Sequence, residues 1–443
     1  MSNRIVRLST RDVRFPTSDH LDGSDAMNKD PDYSAAYITL ETKKGDQGFG
    51  LIFTIGRGND ICCQAVEAMS HLVVGKDFDD IRTDIGRFYN ELRSDSQIRW
   101  LGPEKGVVHM AVGAIVNAVW DMWARAEGKP VWRLLVEMEP EAFVDCADLR
   151  YVEDVLTRDD ALAIVEGNIA TRDQRIRHLE EHGYPAYTMS AGWLGYDDEK
   201  IRRLCREAVQ QGFRHIKLKV GANVDDDVRR LRSIRETVGD DVVVMVDANQ
   251  AWEVNEAIEW MRQLAPFRPW FIEEPTSPDD VMGHKKIKEN IEETRVATGE
   301  HCPNRILFKQ FIAGDAIDVV QIDACRLAGL NEILTVFLLA AKFGKPVCPH
   351  AGGVGLCEYV QHLAMIDYVM ISGEIGERVI EFADHLHEHF VDPCVVRKGA
   401  YLTPTAPGFS VRMREQSVAD YEYPDGAQWR ARASRTAPDG RVR

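Results

Sequence analysis

The sequence predicts a closed α/β barrel of at least seven βα units, preceded by an N-terminal α+β domain. Three observations carry this expectation. From about residue 185, short β-rich apolar segments alternate with helical stretches, the pattern of strands covered on both faces. The polar residues that end these strands recur at a steady interval: 28 residues from Lys219 to Asp247, then 26 to Glu273, 27 to Glu300, 23 to Asp323 and 27 to His350. Ahead of the repeat, roughly 140 residues run strands first and helices after, an α+β order.

The elements follow in chain order. Residues 3–15 alternate as an edge strand does, and a polar loop rich in Asp, Gly and Pro follows at 19–34. AAYITLE (35–41) and FGLIFT (49–54) read as strands joined by the Lys-Gly-Asp turn at 44–46. From about residue 60 apolar side chains recur at three- and four-residue intervals, and VVHMAVGAIVNAVWDMWARAEG (107–128) reads as a central packed helix ending at Gly128. In the barrel, AYTMS (186–190) is a first strand, followed by IKLKV (216–220), VVVMVDAN (242–249), PWFIEEP (269–275), VATGE (296–300), VVQIDAC (319–325) and PVCPH (346–350). YVMISGE (368–374) is expected to close the series. The expected domains are residues 1–142 for the N-terminal α+β domain, 143–380 for the barrel and 381–443 for a segment returning to the first. HLHEH (385–389) has the wrong order for the zinc motif HExxH and reads as surface helix, and the last dozen residues are expected to fray.

Composition narrows the function classes. The 443 residues carry 54 Lys and Arg against 71 Asp and Glu, a formal net charge of −17, with 44% apolar and 28% charged residues. This excludes a disordered or collagenous chain. No long basic run interrupts the acidic background, so no nucleic-acid partner is expected. Nine scattered cysteines without a CxxC pair suit a reducing compartment, with Cys205, Cys325 and Cys348 in apolar contexts that predict burial. No apolar signal segment opens the chain, and no stretch approaches the ~18 apolar residues of a membrane span. A cytoplasmic protein with no membrane partner is the expectation. The absence of GxGxxG after a first strand argues against a dinucleotide site.

Charged side chains inside apolar strands are costly unless they are paired or functional. Here six consecutive strands end in one, at the barrel end where such folds hold their active sites. This pattern predicts an enzyme. Asp247, Glu273 and Glu300 come from neighbouring strands, and three converging carboxylates call for a divalent cation; an all-oxygen set suits Mg²⁺ or Mn²⁺. Asn249 points to the same side, and Glu274 reads as a supporting carboxylate held by helix-terminal or arginine partners. Lys217 and Lys219 lie two apart on one strand face; mutual repulsion would depress one pKa and make it a base. His350 ends the seventh strand beside Asp323, whose carboxylate would fix its tautomer and raise its basicity. A cation between two opposed acid/base groups suits removal of a proton next to a substrate carboxylate. The second group then decides between epimerisation and loss of a β-hydroxyl as water.

Taken together, the KLK pair, the DAN…EEP…GE ladder and the later Asp…His pair resemble the enolase superfamily and its mandelate racemase subgroup, over nearly the whole chain. Local strings are similar to the L-fuconate dehydratase family: KDPDYS (29–34), IRWLGPEKGVVH (98–109), GYPAYTMSAGWLGY (183–196), CPHAGGVGLCE (348–358) and EFADHLHEHF (381–390). The resemblance implies a modified TIM barrel, (β/α)7β, under an N-terminal α+β capping domain, with one Mg²⁺ bound by Asp247, Glu273 and Glu300. It implies that Lys219 abstracts the C2 proton of an acid sugar, with Lys217 near the substrate carboxylate. His350, oriented by Asp323, would expel the C3 hydroxyl, and Glu381 would hydrogen-bond the enediolate. The product would be a 2-keto-3-deoxy acid, L-fuconate giving 2-keto-3-deoxy-L-fuconate, and the enzyme a homo-oligomer. Loop 19–34 and the segment after Thr54 are expected to close over the barrel mouth, with Asp32, Tyr33 and Trp100 as wall or lid residues. Dehydratases of galactonate, arabinonate or rhamnonate, racemases sharing the same pair, and a non-catalytic barrel scaffold are the rival readings.

Overall fold

The computed structural model describes residues 3–20 and 22–436; residues 437–443, within the stretch expected to fray, lie outside it. The chain opens with three antiparallel strands in the order β1 (Ile5–Arg14), β2 (Ser34–Thr42) and β3 (Gln47–Thr54). Helices follow, the longest being Gly106–Ala126. Among the described residues this helix alone is long and apolar enough to cross a membrane, contrary to the expectation that no stretch would be. It is instead the core of the cap: 83% of its most apolar window is buried within the fold. Strand β3 lies directly on it because Gly48 and Gly50 carry no side chain. A Cβ on Gly50 would sit 2.3 Å from the Ala114 carbonyl, and one on Gly48 would sit 2.2 Å from that of Ala118.

The barrel begins with β4 (Tyr184–Thr188) and runs in parallel through β5 (His215–Lys219), β6 (Val243–Asp247), β7 (Phe271–Glu273), β8 (Arg295–Thr298) and β9 (Val319–Val320). The seventh position is the extended stretch through Val347, which bridges to Val320. The His350 amide, at its end, donates to the Ile322 carbonyl. The eighth is β10 (Ile380–Phe382), which pairs with β4 and closes the ring. A helix follows each of the first seven positions, while after the eighth the chain makes only the short helical turn His387–His389 before two short strands, the (β/α)7β arrangement.

Two segments differ from expectation. YVMISGE (368–374) does not close the barrel: Asp367–Ser372 is helical and continues the helix Leu356–Ile366. Its β-branched run is buried on all sides, and a short apolar run carries no periodicity to separate strand from helix. HLHEH is not a surface helix either. Only the turn His387–His389 is helical, and its side chains pack inward in three directions. The C-terminal part does meet the cap: the Tyr423 amide donates to the Asp12 carbonyl, and Arg11 pairs with Glu422 at 2.6 Å.

A buried ionic network joins cap and barrel. Arg305 reaches Glu104 at 2.7 Å, Glu332 at 2.9 Å and Asp148 at 3.0 Å, while His109 on the central cap helix meets Glu332 at 2.7 Å. Burial alone would raise the Glu332 carboxyl, but His109 and Arg305 hold it well below the usual carboxylate range. Breaking such a pair strands an uncompensated charge, typically costing about 3–5 kcal/mol. Glu332→Ala is therefore expected to destabilise the chain by about that amount in chemical denaturation; a change within about 0.5 kcal/mol, typical of an ordinary surface site, would contradict the role given to this network.

Candidate active site

Strand register explains why the carboxylates meet. Lys219 pairs with Asp247 and Asp247 with Glu273, so the three lie at one level of the barrel. Glu300 lies beyond β8, after Gly299, whose backbone passes so close to β9 that a Cβ would sit 1.8 Å from the Gln321 carbonyl. Asn249, Gln250 and Glu274 adopt left-handed backbone, with φ of 45°, 66° and 40°. Such conformations cluster at sites whose surroundings hold them in place.

Asp247, Glu273 and Glu300 each offer an oxygen, all within 4.8 Å of one another. Glu273 Oε1, Glu300 Oε2 and Asn249 Oδ1 are buried without a hydrogen-bond partner. Three converging carboxylates, two of them with an unpartnered oxygen beside the Asn249 amide oxygen, fit a hard divalent cation such as Mg²⁺. Burial and then neighbouring Asp247 push the Glu273 carboxyl up to about 8, against the opposing effect of Lys217.

The lysines have turned toward these carboxylates. Lys219 Nζ lies 2.6 Å from Asp247 Oδ2; Lys217 Nζ lies 2.5 Å from Glu273 Oε2 and 3.0 Å from Glu381 Oε1. The expected depression of one lysine pKa is not found. Burial lowers both, but the adjoining carboxylates outweigh burial and lysine–lysine repulsion and raise both above the ordinary value.

On the opposite wall, His350 Nδ1 lies 2.8 Å from Asp323 Oδ2. The other Asp323 oxygen accepts from the Cys325 and Arg326 amides at 2.7 and 2.8 Å. This leaves His350 Nε2 facing Glu300 at 3.4 Å and Glu381 at 3.7 Å. Burial disfavours the imidazolium, yet Glu300, Glu381 and Asp323 together push its pKa up to about 10. Removing the Asp323 charge withdraws part of that support, so Asp323→Asn should shift His350 downward. A reaction needing His350 protonated loses rate as pH rises through this pKa; the alkaline limb of the kcat profile is then expected at lower pH in Asp323→Asn. An unmoved limb would separate Asp323 from His350 protonation.

Glu381 differs from its expected part. Its Oε2 accepts from the Ala351 and Gly352 amides at 2.7 and 3.1 Å. Despite burial, Lys217 and His350 hold its carboxyl at about 2. An ionised acceptor of this kind fixes the turn carrying His350 and has no proton to donate to an enediolate. Glu274 is a supporting carboxylate as expected, but His301 at 3.0 Å and Gln250 at 2.8 Å hold it, with no arginine involved.

Lys219, Asn249, Glu300, His350, Glu381 and Tyr33 line one cavity of about 250 Å³. Both expected cap segments reach it, the first through Gly23, Asp25 and Asn28 and the second through Ile55 and Arg57. Lys217 is fully buried beneath the cavity floor. Asp32 is absent from the lining; it accepts from Ser18 Oγ at 2.7 Å and shapes the loop. Trp100 is 88% exposed and forms no part of the wall. Sequence reasoning missed Arg57, His301 and Arg326 as lining residues, together with Trp193, whose ring centroid lies 5.8 Å from Lys219 Nζ. Trp193 sits in the AGWLGY string; the others carried no separate signal.

A (β/α)7β barrel with an α+β cap and an acidic triad at the strand ends defines the class, a metal-dependent enzyme of the enolase type. Residues 26–136 match the mandelate racemase / muconate lactonizing enzyme N-terminal domain, and residues 200–417 match the enolase C-terminal domain-like family. The chain belongs to the enolase superfamily, in its mandelate racemase and muconate lactonizing subgroup. It is 51% identical over 431 residues to human mitochondrial enolase superfamily member 1, covering 96% of this chain and 97% of that protein. The crystal structure of the human protein superposes with a TM-score of 0.96, covering 97% of this chain and 98% of that one. The L-galactonate dehydratase of Hypocrea jecorina is 52% identical over 432 residues, 96% of either chain. L-Talarate/galactarate dehydratase from Salmonella typhimurium, at TM-score 0.73 and 24% identity over 94% of this chain and 91% of that one, shares the fold.

These relatives correct the cytoplasmic expectation, because the vertebrate proteins at 50–51% identity carry a mitochondrial name. All nine cysteines are free and buried, but a thiol-preserving interior does not distinguish one reducing compartment from another. The triad and the family support lyase-type catalysis on a small molecule with a divalent metal. They do not single out L-fuconate.

Proposed function

We propose that the protein dehydrates a monocarboxylic acid sugar of L-galacto configuration, removing the C2 proton and the C3 hydroxyl to give a 2-keto-3-deoxy acid. One observation carries the reading: Lys219 and the Asp323-held His350 line a single cavity together with Glu300, one of the three carboxylates of the triad. A racemase needs only that each group exchange a proton with C2, whereas the kinship with an L-galactonate dehydratase at 52% identity favours loss of water. L-Fuconate is the 6-deoxy form of L-galactonate, with the same configuration from C2 to C5. Both the local strings and the relative therefore point to one stereochemical series.

Asp247, Glu273 and Glu300 would hold a divalent cation, which would supply charge that offsets the negative charge developing on the substrate carboxylate. Lys219, in its uncharged form, takes the C2 proton. Lys217 stays beneath the cavity as a fixed cation between Glu273 and Glu381. His350 gives its Nε2 proton to the departing C3 hydroxyl, and Asp323 keeps the ring aimed and charged. The enol product then takes a proton at C3 to become the ketone. Cap residues Asp25, Asn28, Tyr33 and Arg57 contact the distal hydroxyls and exclude water.

The test is a panel of monocarboxylic acid sugars incubated with purified protein and Mg²⁺, with 2-keto acid detected colorimetrically. L-Fuconate and L-galactonate are expected to lead the panel. Turnover confined to acids of another configuration would overturn the stereochemical reading.

A further inference from the structure

Behind the active-site wall lies a second cluster of metal-binding side chains. Cys357 and Glu358 open the helix that follows the His350 turn, while His387 and Cys394 come from the segment after Glu381. Cys357 Sγ, a His387 ring nitrogen and Cys394 Sγ lie within 4.8 Å of one another. Glu358 joins them: its Oε1 lies 2.7 Å from His387 Nδ1, and its Oε2 is buried without a hydrogen-bond partner. Both cysteines and Glu358 are buried.

The histidine is already oriented as a ligand. Its Nε2 lies 2.7 Å from the Ala383 carbonyl, which can only accept, so Nε2 carries a proton. Nδ1 faces Glu358 and Cys394 Sγ, the latter at 3.5 Å, and the ring is stacked flat on Phe382 at 5.3 Å. A backbone carbonyl on one ring nitrogen commonly aims the other at a metal. Bonds of about 2.0–2.3 Å around a tetrahedral zinc ion separate ligand atoms by about 3.4–3.8 Å, so the sulfur–nitrogen spacing already fits and the histidine–carboxylate pair opens by less than about 1 Å. A buried His387–Glu358 ion pair alone would account for those two groups. It leaves unexplained why two thiols gather within 4.8 Å of a ring nitrogen and why the second carboxylate oxygen is unanswered.

We propose that Cys357, Glu358, His387 and Cys394 form a structural zinc site, made of residues separate from the carboxylate triad. Two thiolates and an imidazole select a soft divalent ion over Mg²⁺, and four protein ligands leave no open position for chemistry. Binding releases three protons to solvent, one from each thiol and the one that His387 Nδ1 shares with Glu358. The ion clips two neighbouring strand ends, since Cys357 Sγ lies 3.5 Å from the carbonyl of Ala351, the residue after His350, and His387 bonds to the residue two beyond Glu381.

The full-length chain, purified without metal-affinity chromatography and dialysed against zinc-free buffer containing Mg²⁺, is expected to retain about one zinc per chain, with sulfur neighbours at about 2.3 Å in its X-ray absorption spectrum. Zinc-free protein, zinc with only oxygen and nitrogen neighbours, or a Cys357–Cys394 disulfide would overturn the proposal. In chain stripped of metal, Co²⁺ is expected to develop a thiolate-to-cobalt charge-transfer band. That band should be lost in Cys357→Ser and Cys394→Ser and kept in Asp247→Asn, which damages only the triad. A band that survives both serine variants would also refute the site; should those variants fail to fold, the zinc content and spectrum of the unmodified chain decide.

Discussion

Lys219→Arg is expected to leave a folded protein whose dehydration rate falls by about 10³-fold or more, with C2–H exchange lost in parallel. The arginine keeps a positive charge beside Asp247, where Lys219 now sits at 2.6 Å, so the charge balance of the buried triad is preserved. What it removes is the base, because a guanidinium does not give up its proton in a protein. Lys219→Ala should be equally inactive, but it also deprives Asp247 of a partner and adds a stability cost. Comparing the two separates proton transfer from charge balance, since general-base catalysis alone is worth about 10²–10⁴-fold. If Lys219→Arg keeps normal turnover, another group is the base.

His350→Asn should divide the reaction instead of abolishing all of it. Lys219 and the triad remain, so the C2 proton of a bound acid sugar still exchanges with deuterium from D₂O. Loss of the C3 hydroxyl, which needs a proton donor, falls by about 10²–10⁴-fold. The outcome depends on His350 Nε2 facing the cavity while Nδ1 is engaged by Asp323 at 2.8 Å. Undiminished dehydration in this variant would place the acid elsewhere, with His301 as the other imidazole lining the cavity.

Both substitutions test residues that could be read from the sequence, because an ionisable side chain at the end of an apolar strand stands out against its background. The regular intervals from Lys219 to His350 identified the barrel for the same reason. The eighth strand was misplaced onto residues 368–374 because valine, isoleucine and methionine serve equally in a strand and in a helix buried all round. The three-residue strand Ile380–Phe382 is too short to carry a pattern. Cap residues were less legible still. Arg57 and Asp25 reach the cavity only because loops fold back across some 170 residues of chain, as in the hydrogen bond from Ser24 Oγ to the Leu194 carbonyl. Trp100 shows the converse: a large aromatic within a family-like string suggested a wall, yet it faces solvent. The lysine pKa was misjudged because repulsion within the KLK pair was weighed without the facing carboxylates. Those lie closer than the pair can be separated along a strand.

The central claim is that this cavity removes a C2 proton and a C3 hydroxyl from the same acid sugar. Proton NMR of the wild-type protein with Mg²⁺ and L-fuconate or L-galactonate in D₂O tests it directly. The account predicts disappearance of the C2 proton signal together with a 2-keto-3-deoxy acid bearing a single deuteron at C3. A C2-deuterated epimer with no keto acid, or substrate unchanged for every acid sugar tried, would contradict it.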